Sequence, residues 1–115
     1  MVSVIIPTYL EIENVRPLID RLVNVRGRCG ESLEVLIVDD GSTDGTAQLA
    51  QTLLDRAGLG SVIARERRGG LAAAVLEGAR RAKGDLVAVM DADLSHPPEL
   101  LPALVEAVRS GSDVA

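Results

Sequence analysis

The chain predicts an α/β fold, an open and mainly parallel sheet flanked by helices, and three observations predict it. Short apolar runs alternate with segments of helical period. The runs are apolar on both faces, as strands covered by helices on both sides must be. Each run also ends in a polar cluster, so the polar residues gather at one edge of the predicted sheet.

In order along the chain, "VSVII" (2–6) is the first strand. Val15, Leu18, Ile19, Leu22 and Val23 then recur at i, i+3, i+4, i+7 and i+8, the apolar stripe of a helix. "EVLIV" (34–38) is the second strand, and Asp44 is the expected N-cap of a helix that turns Ala50, Leu53, Leu54 and Ala57 inward. "SVIA" (61–64) is the third strand. Leu71, Ala74, Val75, Gly78, Ala79 and Ala82 form the stripe of the third helix, with Gly84 as its stop. "LVAVM" (86–90) is the fourth strand. After "HPP" a fourth helix carries Leu101, Leu104, Val105 and Val108 on one face, with Pro102 disturbing its first turn and Gly111 ending it. The order βαβαβαβα implies crossover connections and a parallel sheet. "SDVA" (112–115) reads as the opening of a fifth strand, so residues 1–115 are expected to be the N-terminal portion of one larger domain.

Composition narrows the function. Hydrophobic residues make up 47% of the chain, yet there is no Phe or Trp and Tyr9 is the sole aromatic, so aliphatic side chains must fill the core. A net charge of −5 argues against nucleic acid, which calls for a basic stripe. The lone Cys29 excludes an intrachain disulfide and suits a reducing compartment. Met1 leads straight into a strand, with no basic stretch of a signal peptide. The longest apolar run, "LAAAVL" (71–76), falls far short of the roughly 20 residues a bilayer requires. A cytoplasmic location is therefore expected.

In an open parallel sheet, ligands bind beyond the carboxyl ends of the strands. The clusters there are "PTYLE" (7–11), "DDGSTDGT" (39–46), "RERRGG" (65–70) and "DADLSH" (91–96). Any one of them is explicable as a solvated loop; four on one edge point to a site. In the second cluster Gly41 serves a turn and Asp44 a helix start, which leaves Asp39 and Asp40 to accept hydrogen bonds from a nucleobase or ribose. No GxGxxG follows the first strand, which argues against a nicotinamide cofactor. Asp91 and Asp93 are two residues apart past a strand end, where both can reach one hard divalent cation, and Mg²⁺ and Mn²⁺ prefer oxygen ligands shared with substrate phosphates. Arg65, Arg67 and Arg68 form a basic patch that either meets phosphates or is an exposed loop. His96 suits a helix entry or a supporting place beside the carboxylates, and Cys29, in a polar loop, has no evident role.

Together "VSVIIPTYLE", "LEVLIVDDGSTDGT", "GGLAAAVLEGARRAKGD" and "VAVMDADLSHPPELLP" resemble glycosyltransferase family 2, nearest its polyprenol (dolichyl) phosphate mannosyltransferase branch. The resemblance runs nearly end to end and its blocks keep the family's order. It implies the GT-A nucleotide-diphospho-sugar transferase fold, which is Rossmann-like. It also implies nucleotide-sugar binding by Pro7, Tyr9, Glu11, Val38, Asp39, Asp40, Asp91, Ala92 and Asp93. Asp91 and Asp93 match the metal-binding D-x-D, with Ser95 near the metal. Leu10 departs from the family's "PTYNE", where Asn stands. The implied reaction is metal-dependent transfer of a hexose, mannose from GDP-mannose, to a polyprenyl phosphate with inversion, at the cytoplasmic face of a membrane. Other family 2 donors such as UDP-glucose, and a nucleotide-sugar-binding module without catalysis, remain open. A haloacid-dehalogenase-like phosphatase, with Asp91 as nucleophile and Asp93 as acid/base, fits less well, because that motif belongs after a first strand. Self-association is expected of a chain that ends at an uncovered strand.

Overall fold

A computed structural model of the protein describes residues 1–66 and 69–111. Its elements follow the expected alternation: β1 (Val2–Thr8), α1 (Ile12–Val25), β2 (Leu33–Asp39), α2 (Thr46–Ala57), β3 (Gly60–Ala64), α3 (Leu71–Arg81), β4 (Leu86–Val89) and α4 (Leu101–Arg109), with short 3₁₀ turns at Arg26–Arg28 and Pro98–Leu100. The strands form one parallel sheet in the order β3-β2-β1-β4. After β3 the chain returns through α3 to the far side of β1. The carboxyl ends of β1 and β4 therefore flank a point where the winding direction reverses.

Two apolar layers cover the sheet. Val2, Val4 and Ile6 of β1 and Val35 and Ile37 of β2 face Val15, Leu18, Leu22, Ala50 and Leu54 of α1 and α2, and Leu101 and Val105 of α4 join this larger core. On the opposite face Ile5, Val38 and Ile63 meet Ala74 of α3. Gly78 lets α3 approach closely, since a Cβ there would stand 2.6 Å from Ile5 Cγ2.

The two central strands are buried on both faces as expected, but β4 is not: Val87 is 43% and Val89 50% exposed. In register Val87 lies beside Ser3 and Val89 beside Ile5, on the face that α3 covers. Among the described residues α3 packs mainly across β1 and β2, and this face of β4 stays exposed at Val87 and Val89.

Several local expectations shift. Asp44 is not the residue adjoining α2; that is Gly45, in left-handed backbone. The Asp44 carboxylate instead accepts the Thr46 N–H at 3.0 Å and, more weakly, that of Ile12 at 3.4 Å, so it joins two helix starts. The Thr46 hydroxyl holds the Asp44 carboxyl below its ordinary range. α3 ends at Arg81, before Gly84; a Cβ on Gly84 would lie 2.6 Å from the Met1 carbonyl, so this glycine serves a close approach. Pro102 falls in the first turn of α4, where its missing N–H costs no helical bond, and the irregular turn is Pro98–Leu100 before it. Cys29 is a core residue, 8% exposed, and burial pushes its thiol pKa up. The expected fifth strand, including Val114, lies outside the described residues.

Candidate functional site

The loop after β1 closes onto the loop after β2 through backbone donors meeting short side chains. Leu10 N–H donates to Ser42 Oγ at 2.8 Å and Glu11 N–H to Thr46 Oγ1 at 3.0 Å. Leu10 adopts φ +56°, a left-handed conformation that a leucine rarely takes. Asn is tolerated there, which gives a backbone reason for the residue expected at this place in "PTYNE".

Beside this junction is a cavity of about 280 Å³, walled by Pro7, Tyr9, Glu11, Asp40, Gly70 and Leu71, among others. Asp40 is 5% exposed; its Oδ1 accepts the Gly69 N–H at 2.8 Å and its Oδ2 the Gly70 N–H at 2.9 Å. The carboxylate thus sits at the start of α3, where the helix dipole favours negative charge. The Arg65 guanidinium stands 3.7 Å from Asp40 Oδ1, and Arg65 Nη1 is buried with no hydrogen-bond partner among the described residues. Arg67 and Arg68 lie outside the described residues. Gly70 and Leu71, which the sequence reading did not single out as site residues, complete the wall; Leu71, expected on the buried stripe of α3, is instead 65% exposed at the cavity.

Val38 and Asp39 are not part of that wall. Val38 points into the core beneath α3. Asp39, 2% exposed, accepts hydrogen bonds from Thr8 Oγ1 and Ser42 Oγ, both at 2.7 Å, and from Ser42 N–H at 2.9 Å. The adjacent pair is divided, Asp40 toward the cavity and Asp39 behind it.

The fourth cluster follows β4. Ala92 is 3% exposed and belongs to the main core, which turns the flanking Asp91 and Asp93 away from it. Leu94, also packed on that core, takes φ +67°. Ser95 bridges the carboxylates: its N–H donates to Asp93 Oδ1 at 3.0 Å and its hydroxyl to Asp91 Oδ2 at 3.5 Å. Ser95, through its side chain and then its N–H, holds the Asp93 carboxyl below its ordinary range. His96 Nδ1 accepts the Asp91 N–H at 3.4 Å and lies 3.7 Å from Asp91 Oδ2. Among the described residues no group of three or more His, Cys, Asp or Glu side chains converges as a metal cage. Two exposed carboxylates with a hydroxyl between them nevertheless suit Mg²⁺ or Mn²⁺, hard ions that take their remaining ligands from water and substrate phosphates. No described helix is long and apolar enough to cross a membrane.

Comparison with known proteins bears on the family and the fold. The chain is 47% identical over 114 residues to a dolichol-phosphate mannosyltransferase of Pyrococcus furiosus, covering 99% of this chain and 32% of that protein. It is 41% identical to an undecaprenyl-phosphate 4-deoxy-4-formamido-L-arabinose transferase of Pseudomonas paraeruginosa, covering 99% of this chain and 34% of that one. It therefore spans about a third of the length of the curated relatives it matches. Among solved structures, a mannosyltransferase of Pyrobaculum calidifontis in complex with GDP-Man and Mn²⁺ superposes with a TM-score of 0.76 at 30% identity, over 94% of this chain and 31% of that one. Glucosyl-3-phosphoglycerate synthase of Mycobacterium tuberculosis, in complex with Mn²⁺, UDP and its product, gives 0.73 at 26% identity, over 96% and 40%. The sheet and helices are those of the GT-A fold. The model of glycosyl transferase family 2 matches residues 3–115, and the chain belongs to that family.

Proposed function

We propose that this chain forms the nucleotide-sugar-binding part of a glycosyltransferase that moves a hexose, mannose from GDP-mannose, to a polyprenyl phosphate with inversion. The observation that carries the reading is the pairing, on one sheet edge, of the Asp40 cavity with the Asp91–Asp93 loop. The cavity offers a carboxylate to a nucleoside, and the loop offers two carboxylates to a cation. The lipid phosphate acceptor is supported by the names of both curated relatives, which share it; the mannose donor is supported by the one more similar in sequence and by the Pyrobaculum structure.

In this reading Pro7, Tyr9, Glu11 and Asp40 receive the nucleoside. Asp91 and Asp93, aided by Ser95, hold Mg²⁺ or Mn²⁺, which when bound supplies positive charge against the diphosphate leaving group. Arg65 supplies cationic charge at the same edge for phosphate oxygens, the role that the sequence also suggests for Arg67 and Arg68. The acceptor phosphate is ionised near neutral pH and is a competent nucleophile without a strong base. Orientation and electrostatic stabilisation are then the main tasks of the protein.

Calorimetric titration of GDP-mannose and UDP-glucose in parallel, with and without Mn²⁺, tests the donor. GDP-mannose is expected to bind more tightly, and only with the metal in full strength. Asp91→Asn or Asp93→Asn should weaken that binding by about 1–3 kcal/mol with the melting temperature unchanged. Equal affinity of variant and parent at saturating metal would remove the D-x-D assignment. Binding without turnover, in a chain carrying the full length of its relatives, would favour the non-catalytic module.

A further inference from the structure

We propose that Asp39 is a positioning residue: it does not touch the nucleotide but sets the three loops that receive it. This rests on the reading of the Asp40 cavity as a nucleoside site. Asp39 is 2% exposed and lies at the end of β2, in register with Thr8 at the end of β1. Its Oδ1 accepts the Thr8 and Ser42 hydroxyls and its Oδ2 the Ser42 N–H. The Ser42 hydroxyl passes the linkage on, because it also accepts the Leu10 N–H at 2.8 Å. The Asp39 carbonyl accepts the Arg65 N–H at 2.9 Å and so fixes the start of the third loop. One buried residue thereby joins the Tyr9–Glu11 loop, the Asp40–Gly45 loop and the loop that begins at Arg65.

The donors need an acceptor-only group in this place. Three donors converge on two oxygens, and a buried acceptor set of this kind is costly to leave incomplete. An asparagine would set its NH₂ against the Ser42 N–H, donor against donor, or else turn it to the two hydroxyls, which would have to rotate and accept, so that both bonds reverse and the hydroxyl hydrogens lose this acceptor. The Leu10 backbone, held at φ +56°, depends on the Ser42 hydroxyl that Asp39 orients. Loss of the carboxylate should therefore release Leu10 and let Tyr9 and Glu11 leave the cavity wall.

The test uses Asp39→Asn and, in case that variant folds poorly, Ser42→Ala, which removes the relay hydroxyl and keeps the buried charge. Ser3→Ala is the control: Ser3 is equally buried at the opposite end of β1, where its hydroxyl bonds Glu34 and Gly84 far from the cavity. GDP affinity, thermal melting and amide hydrogen exchange of Leu10 and Glu11 are measured on each. Ser42→Ala and Asp39→Asn should each weaken GDP by about 3- to 10-fold, the double variant by no more than Asp39→Asn alone, and both should speed exchange at Leu10. Ser3→Ala should lower the melting temperature and leave GDP affinity as in the parent. Parent-like GDP affinity in Ser42→Ala, or an equal loss in Ser3→Ala, overturns the inference. A parent chain that binds no GDP overturns the nucleoside reading itself, while unchanged exchange at Leu10 in Ser42→Ala overturns the positioning role whatever the ligand.

Discussion

The loops after β1 and β4 each hold a leucine in left-handed backbone, Leu10 at φ +56° and Leu94 at φ +67°. Conformations of this kind cost of order 1–2 kcal/mol in a residue with a full side chain, and they persist only where surrounding contacts impose them. At Leu10 those contacts are hydrogen bonds to Ser42 and Thr46, and the side chain is 47% exposed, so little packing rewards the leucine itself. Leu10→Asn should therefore stabilise the protein by about 1 kcal/mol, seen as a melting temperature a few degrees higher. An unchanged or lower melting temperature would mean that the Leu10 side chain contributes contacts of its own. Leu94 differs, because it packs on the core beside Ala92, and the same exchange there should lose apolar burial that offsets the backbone gain.

At the scale of elements, α3 and α4 are attached by opposite means. α3 rests on a small apolar patch and depends on the close approach at Gly78, where an added methyl meets Ile5 and Val38 at 2.6 and 3.2 Å. Gly78→Ala should destabilise by about 1–3 kcal/mol through overpacking, measured by denaturant unfolding, although alanine is the better helix former. α4 is fastened at its end by charge. Arg109 donates to Glu31 at 2.7 Å and to Asp85 at 2.8 Å, and the Met1 amine lies 3.0 Å from Glu31. Arg109, then the Met1 amine, lowers the Glu31 carboxyl from 4.5 to about 2, and the same two groups lower Asp85. A carboxyl depressed on folding contributes stability that is complete above its unfolded pKa and is lost as pH falls through its folded one. The clamp should thus act fully at neutral pH and fade as the pH drops from about 4.5 toward about 2. Melting of parent and Arg109→Gln across that range should show a gap that narrows with acidification and, since the pairs are exposed, narrows with salt as well.

For the whole molecule, the uncovered face of β4 governs behaviour in solution. Val87 and Val89 are exposed on a strand that pairs on one side only among the described residues, and Leu100 and Leu104 are exposed beside it, at 63% and 37%. Apolar hollows of about 290 and 400 Å³ run between β4 and α4. Exposed apolar edges pair with other chains, and residues 1–115 alone should self-associate at micromolar concentration. Val89→Lys should reduce that association without loss of the fold, as sedimentation velocity would record. A monodisperse parent would mean that the edge is shielded by its twist or by flanking charge.

The order of elements, the parallel class of the sheet and the gathering of polar clusters at its carboxyl edge were all legible in the sequence. Each is written in short-range patterns: apolar runs of strand length, stripes of helical period, and acidic or glycine-rich stretches directly after the runs. The Asp91–Asp93 pair was singled out in the same way, as two aspartates two residues apart directly after an apolar run. What tertiary structure decided involves residues far apart in the chain. Only the register of β1 beside β2 brings Thr8 to Asp39 and turns that carboxylate away from the cavity, while its neighbour Asp40 reaches the glycines that open α3. Only the placement of α3 over β1 and β2 leaves Val87 and Val89 bare, though their sequence reads as a strand covered on both sides. Periodicity reports how a segment meets its own two faces; which side chain another loop captures, and which strand a helix leaves uncovered, depends on strand order and on hydrogen bonds spanning some thirty residues.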